Sequence, residues 1–152
     1  TDKWSFSGQL YAASTGGLLS LTVIYLLNPT TFNGYGVSLY YGDAGVGDLQ
    51  LYRYNGGVPV SLGSVSILSP GLNTSQEPTH NQWNLRATYT QDGTFHAWVE
   101  RRAHEVLPHW HVSATDTTHK AVEKALMLVA PADAPATDRI RWGEVILTRG
   151  IP

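Results

Sequence analysis

Residues 82–100 read QWNLRATYTQDGTFHAWVE. Trp83, Leu85, Ala87 and Tyr89 alternate with Asn84, Arg86 and Thr88. After an Asp92-Gly93 step, Phe95, Ala97 and Val99 alternate with His96, Trp98 and Glu100. A period of two sends successive side chains to opposite faces of a strand, so each half of the stretch has one apolar face. Asp-Gly supplies the backbone conformation of a tight reversal. The stretch is therefore a β-hairpin, and its apolar face needs a second layer to cover it.

The same pattern runs outward in both directions. In DLQLYRYN (48–55), Leu49 and Leu51 share one face, and Gln50, Tyr52 and Tyr54 the other. The NGG at 55–57 then predicts a second hairpin. Trp110 and Val112 are in phase with each other, and Trp4, Trp83 and Trp142 are in phase with core positions. Polar or glycine- and proline-rich connections fall at 15–17, 42–48, 69–81 and 131–138. Helical periodicity is nearly absent. Its best candidate, HKAVEKALMLV (119–129), also reads as a strand in its second half. The expectation is an all-β fold: an antiparallel two-sheet jelly-roll sandwich of about ten or more strands with little or no helix. The 152 residues form a single domain, 1–152, long enough to bury a core without staples.

Composition narrows the function. There is no cysteine, so neither disulfides nor thiolate chemistry enter. Net charge is −2, and the basic residues are scattered apart from Arg101-Arg102 and Arg139/Arg141, which gives no stripe for nucleic acid. The longest apolar run, LLSLTVIYLL (18–27), is about half of a helical membrane span. No signal peptide is expected at Thr1-Asp2-Lys3-Trp4, the start of a free-standing protein or of an excised or processed domain. No partner of either kind, nucleic acid or membrane, is expected.

HEVLPHWH (104–111) resembles a zinc-protease helix only superficially. His109 follows His104 by five positions, which puts them on different helical faces, and Pro108 breaks the helix between them. Read as a strand, His109 and His111 share one face, and two ligands are too few for zinc. Asp43, Asp48 and Asp116 stand in loops that could host calcium, but the alternating oxygen ligands of a dedicated calcium loop are missing. No metal residues and no cofactor are expected.

Several stretches, in order, resemble the concanavalin A-like, or laminin-G-like, jelly-roll sandwiches. These are GYGVSLYYG (34–42), GDLQLYRYNGGVPVSLGS (47–64), QWNLRATYTQDGTFHAWVE, ATDTTHKAVEKALMLV (114–129) and DRIRWGEVILTR (138–149). The resemblance covers about residues 34–149. It implies two stacked, curved antiparallel sheets, with the last stretch returning beside the N-terminal strand. The family includes lectins, carbohydrate-binding modules, glycoside hydrolases, polysaccharide lyases and structural domains, so it does not choose a function.

The residues argue against catalysis. Retaining hydrolases on this fold carry Glu-x-Asp-x-x-Glu, which puts two carboxylates about 5 Å apart on one strand face. No two carboxylates here stand two apart on a predicted strand, and Glu100 is the one near a confident strand end. The Gln-x-His strand of related lyases and the Gly-x-Ser-x-Gly elbow are also missing. The expectation is a non-catalytic protein that recognises a surface. Its binding or interface residues are Tyr52, Tyr54 and Trp98, aromatics out of phase with the core, together with Arg86 and His96. Five tryptophans, eight tyrosines and only three lysines (Lys3, Lys120, Lys124) fit a surface covered by protein. With that surface, a small jelly roll expected to be made without a signal peptide and an intact-looking Thr1-Asp2-Lys3-Trp4 start favour a virion or assembly component, such as a capsid decoration or tail protein, forming a homo-oligomer or lattice contact. The alternative is a glycan-binding module of a secreted or cell-surface protein. The expected location is a virion or an extracellular surface.

Overall fold

The computed structural model describes residues 2–13, 19–41, 46–68, 82–102, 109–121, 128–130 and 139–149. All regular structure among them is strand. Ten strands follow in order: β1 (Asp2–Ala13), β2 (Leu19–Asn28), β3 (Asn33–Tyr41), β4 (Val46–Asn55), β5 (Val58–Leu68), β6 (Gln82–Thr90), β7 (Thr94–Arg102), β8 (His109–Thr115), β9 (Leu128–Ala130) and β10 (Arg139–Arg149). One sheet has the order β10-β1-β6-β7-β8 and the other β5-β4-β3-β2-β9. Every pairing is antiparallel.

The predicted hairpin is the β6–β7 pair, in register from Gln82↔Arg102 to Tyr89↔Phe95. Its turn closes with the Gly93 amide donating to the Thr90 carbonyl at 3.1 Å, and Gly93 has φ +95°. The second hairpin joins β4 to β5 through Gly56 and Gly57, with φ +58° and +85°. Positive φ at both positions gives the twist that strand pairs favour. Of residues 119–129, the helical candidate, 119–121 belong to a turn and 128–129 to the strand β9; residues 122–127 lie outside the described set.

The core lies between the sheets. Tyr35, Val37, Leu39, Leu49, Leu51 and Ile67 come from one, and Trp83, Leu85, Ala87, Tyr89, Phe95, Ala97, Val99 and Val112 from the other. Tyr35 stacks on Tyr89 across the gap, with ring centroids 4.7 Å apart. The period-two faces of β4, β6 and β7 thus face one another as expected. The side chains of Trp4 and Trp142, also read as core, are outside the described set, although their backbones pair in β1 and β10. Strand β10 runs beside β1, as the resemblance implies, and β1 is held on its other side by β6.

One expectation about faces needs correction. Tyr54 is on the outer face with Tyr52, but it is buried, at 8% exposure. The reason is its partner across the strand. Tyr54 pairs with Gly34 and Tyr52 with Gly36. Opposite a glycine, an aromatic ring meets no side chain and can lie down along the sheet. The two rings also lean on each other, 6.2 Å apart, and Tyr52 is itself half-buried and donates to Gln50.

Candidate functional site

The five residues singled out from the sequence do not form one site. Tyr52 and Tyr54 belong to β4 in one sheet, and Arg86, His96 and Trp98 to β6 and β7 in the other. The second group stays together. Arg86 pairs with Trp98 across the β6–β7 ladder, and His96 lies two residues from Trp98 on the same face. Arg86 is exposed; His96 and Trp98 are half-buried.

Arg86 and Trp98, but not His96, border an open cleft of about 590 Å³ on the outer face of their sheet. It is lined by Ser5 and Ser7 of β1, Arg86 and Thr88 of β6, Trp98 and Glu100 of β7, and Ile146 of β10. All seven occupy out-of-phase positions on neighbouring strands, so one alternation delivers the whole surface. Ile146 is 47% exposed at its edge. Among the described residues the ion pair formed is Arg53–Asp116. Arg86 and Glu100 therefore face the cleft without neutralising each other.

On the β8 side of Trp98 stand two histidines. His111 pairs with Trp98 across the β7–β8 ladder. The rings of His96, Trp98 and His111 lie nearly parallel. Their centroids are 5.4 Å (His96–Trp98), 5.0 Å (Trp98–His111) and 5.5 Å (His96–His111) apart. His96 Nδ1 and His111 Nε2 are 3.3 Å apart, within hydrogen-bond reach. Burial, and then the charge of His96, push the His111 imidazole below its ordinary value. The strand reading of HEVLPHWH holds for its described part: β8 begins at His109 and carries His111 on the outer face. His104 and Pro108 lie outside the described residues.

A second polar cluster sits at one end of the sandwich. The Asp116 carboxylate accepts from Arg53 Nη1 at 2.5 Å, Tyr35 Oη at 2.8 Å and the Thr118 amide at 2.9 Å. The Asp116 carbonyl accepts from Tyr89 Oη at 2.7 Å and lies 3.0 Å from Tyr35 Oη. The His119 amide donates to Tyr35 Oη at 3.1 Å, and His119 Nε2 lies 2.7 Å from Asn55 Oδ1. Burial raises the Asp116 carboxyl, but the hydrogen bonds from Tyr35, Thr118 and Arg53 outweigh it and hold the group below the usual carboxylate range. Burial first, with the bond to Tyr89, drives the Tyr35 phenol well above its ordinary value, so it stays a donor. This network braces the chain after β8; within it the Arg53 Nε is a buried donor with no partner. Asp116, which its loop position offered to calcium, is committed to Arg53. Asp48, from the same set, accepts from Ser66 at 3.2 Å, and Asp43 lies outside the described residues. Sequence reading missed the network, yet a signal was there. Arg53 is in phase with Leu49 and Leu51, and a charge on a core face calls for a buried partner.

No protein-family model matches the chain, and no curated protein matches it in sequence. Among solved structures, sheep galectin-11 in complex with glycerol is similar over 97% of this chain and 91% of that one, at 12% identity and a TM-score of 0.52. The fold is that of a concanavalin A-like sandwich. A Scytalido-glutamic peptidase with a peptide-based transition-state analogue aligns more loosely, over 95% of this chain and 76% of that one, at 10% identity and a TM-score of 0.43. On the concanavalin A-like framework of this chain, the Trp98 cleft opens outward from the β10-β1-β6-β7-β8 sheet.

Proposed function

We propose that this β-sandwich binds carbohydrate, without turning it over, in the Trp98 cleft. One observation carries the reading: an indole, a guanidinium and a carboxylate share a single open cleft with three hydroxyls. A sugar ring has an apolar C–H face that lies on an aromatic ring. Its hydroxyls both donate and accept. Glu100 accepts only, Arg86 donates in a planar fork, and Ser5, Ser7 and Thr88 do either. The volume lies within the usual range for small-molecule sites. Glu100 is the one carboxylate in the lining, whereas glycoside hydrolysis ordinarily uses a pair.

The likeness to a galectin crystallised with glycerol, a small polyol, agrees in chemical class. At that identity it speaks for the fold, and the cleft carries the function. The cleft supports carbohydrate directly, so carbohydrate takes precedence here over the virion or assembly reading.

The test is a panel of neutral oligosaccharides (cellotriose, chitotriose and galactobiose) titrated calorimetrically against the wild type and Trp98→Ala. Binding of at least one is expected, weakened about tenfold in the variant, the size of a lost aromatic stack. Reducing-end assays should show no release. Retention unchanged in Trp98→Ala would remove the cleft from the reading. A wild-type oligomer that Trp98→Ala dissociates, with no sugar bound, would restore the assembly reading. Sugar release abolished by Glu100→Gln would make the protein an enzyme.

A further inference from the structure

The cleft lies on the β6, β1 and β10 side of Trp98, and the two histidines stand on the β7 and β8 side. The indole is therefore held between what it would bind and a hydrogen-bonded imidazole pair. Nothing in the carbohydrate reading uses that pair. It does bear on where the indole sits, because both imidazoles lie nearly parallel to it, with centroids 5.4 Å (His96) and 5.0 Å (His111) away.

A hydrogen bond between two imidazoles needs one N–H and one lone pair. Two neutral rings satisfy it. One neutral and one charged ring satisfy it better, since the bond is then charge-assisted. Two charged rings do not: each nitrogen carries a proton, and two cations face each other. The surroundings do little to ease that repulsion. Thr88 and Ser113, which pair with His96 from β6 and β8, are uncharged, and Arg86 is a further cation opposite Trp98. Glu100, beyond Trp98 on β7, is the one carboxylate among the described outer-face residues of β6, β7 and β8; by register it is opposite His109 rather than the pair.

We propose that His96 and His111 are positioning residues for the Trp98 wall of the cleft, and that uptake of a second proton by the pair releases the indole, so that carbohydrate binding falls in mildly acidic solution. This rests on the carbohydrate reading of the cleft. The first proton leaves the hydrogen bond intact. The second arrives below the ordinary imidazole value of about 6.5, in the direction in which His111 is already pushed by burial and by the charge of His96. The native arrangement favours the incompletely protonated pair. Its contribution is full above that range and is lost as pH falls through it.

The experiment follows the Trp98 indole N–H, assigned with Trp98→Phe, and the imidazole resonances of His96 and His111 by NMR on the full chain, without sugar, from about pH 8 to about pH 4.5. The same chain is titrated with cellotriose, chitotriose and galactobiose at both ends of the range. The indole resonance should move with the second histidine step, and affinity for the sugars bound at neutral pH should fall about tenfold, the equivalent of one pKa unit. In His111→Gln, which does not titrate, both curves should flatten; if that variant folds poorly, the wild-type titration decides alone. An indole that stays still while both histidines protonate overturns the proposal. So does a folded His111→Gln variant that keeps the wild-type pH curve. An indole that follows the pair in a chain binding none of the three sugars at neutral pH supports the coupling and removes the carbohydrate reading.

Discussion

Asp116 is 9% exposed and Arg53 23%. An exposed ion pair is worth ~0–1 kcal/mol and breaking a buried one costs ~3–5 kcal/mol. This pair lies between those limits, so Asp116→Ala should cost ~2 kcal/mol after allowance for solvent. Chemical denaturation measures it. The pH dependence has a definite sign. Because the Asp116 carboxyl sits below its ordinary 3.8, its stabilisation is complete above that value and disappears as pH falls through the lower native one. Acid unfolding of the wild type should therefore steepen below about pH 4, and Asp116→Asn should lose that component. Circular dichroism across the acid range would show it. An unchanged acid limb would mean that the Tyr35, Thr118 and Arg53 bonds do not stabilise the carboxylate as their geometry implies.

At the scale of the element, two glycine turns make a controlled comparison. Gly56 and Gly93 both have positive φ, but a Cβ at Gly56 would meet nothing within 4 Å, while one at Gly93 would lie 2.6 Å from Thr117 Cγ2 and 3.1 Å from the Asp116 carbonyl oxygen. The Asp116 amide also donates to the Gly93 carbonyl at 2.9 Å, which ties the β6–β7 turn to the exit of β8. Gly56→Ala should cost ~1 kcal/mol, the ordinary penalty of a left-handed residue. Gly93→Ala should cost ~2 kcal/mol or more, because strain and collision add. Thermal melts of the two variants side by side are the check, and equal losses would contradict the packing described. The hairpins themselves were legible from Asp92-Gly93 and Asn55-Gly56-Gly57, since turn chemistry is local. The fate of Tyr54 was not, because it depends on Gly34 in another strand. The same holds for Arg53, whose partner lies sixty-three positions away.

For the whole molecule, alternation told which face of β4, β6 and β7 goes inward, and the predicted interior residues Leu49, Leu51, Trp83, Leu85, Phe95, Val99 and Val112 are buried. It also brought Arg86, His96 and Trp98 to one outer face. What period-two patterning omits is adjacency: it gives a strand two faces but no neighbours. The Ser5, Ser7 and Ile146 side of the cleft exists because β1 stands between β6 and β10, and no local signal states that. His111 was legible as an outward histidine. Its bond to His96 required the β7–β8 register.

The position of β1 between β6 and β10 also bears on how the protein is made. A ribosome releases β1 first and β10 last of the ten strands, yet these two must lie side by side. Until β6 emerges, β1 has neither of its partners; until β10 emerges, it keeps one open edge. Pairings this remote in sequence form slowly, and unpaired strands invite association with other chains. The β2–β5 meander, built from successive hairpins, has no such delay. Chains arrested before residue 139 should therefore show protease-sensitive β1 and co-sediment with chaperones, and extension through residue 149 should protect it. Limited proteolysis of stalled nascent chains would reveal the step, and early protection of β1 would mean that β6 alone secures it.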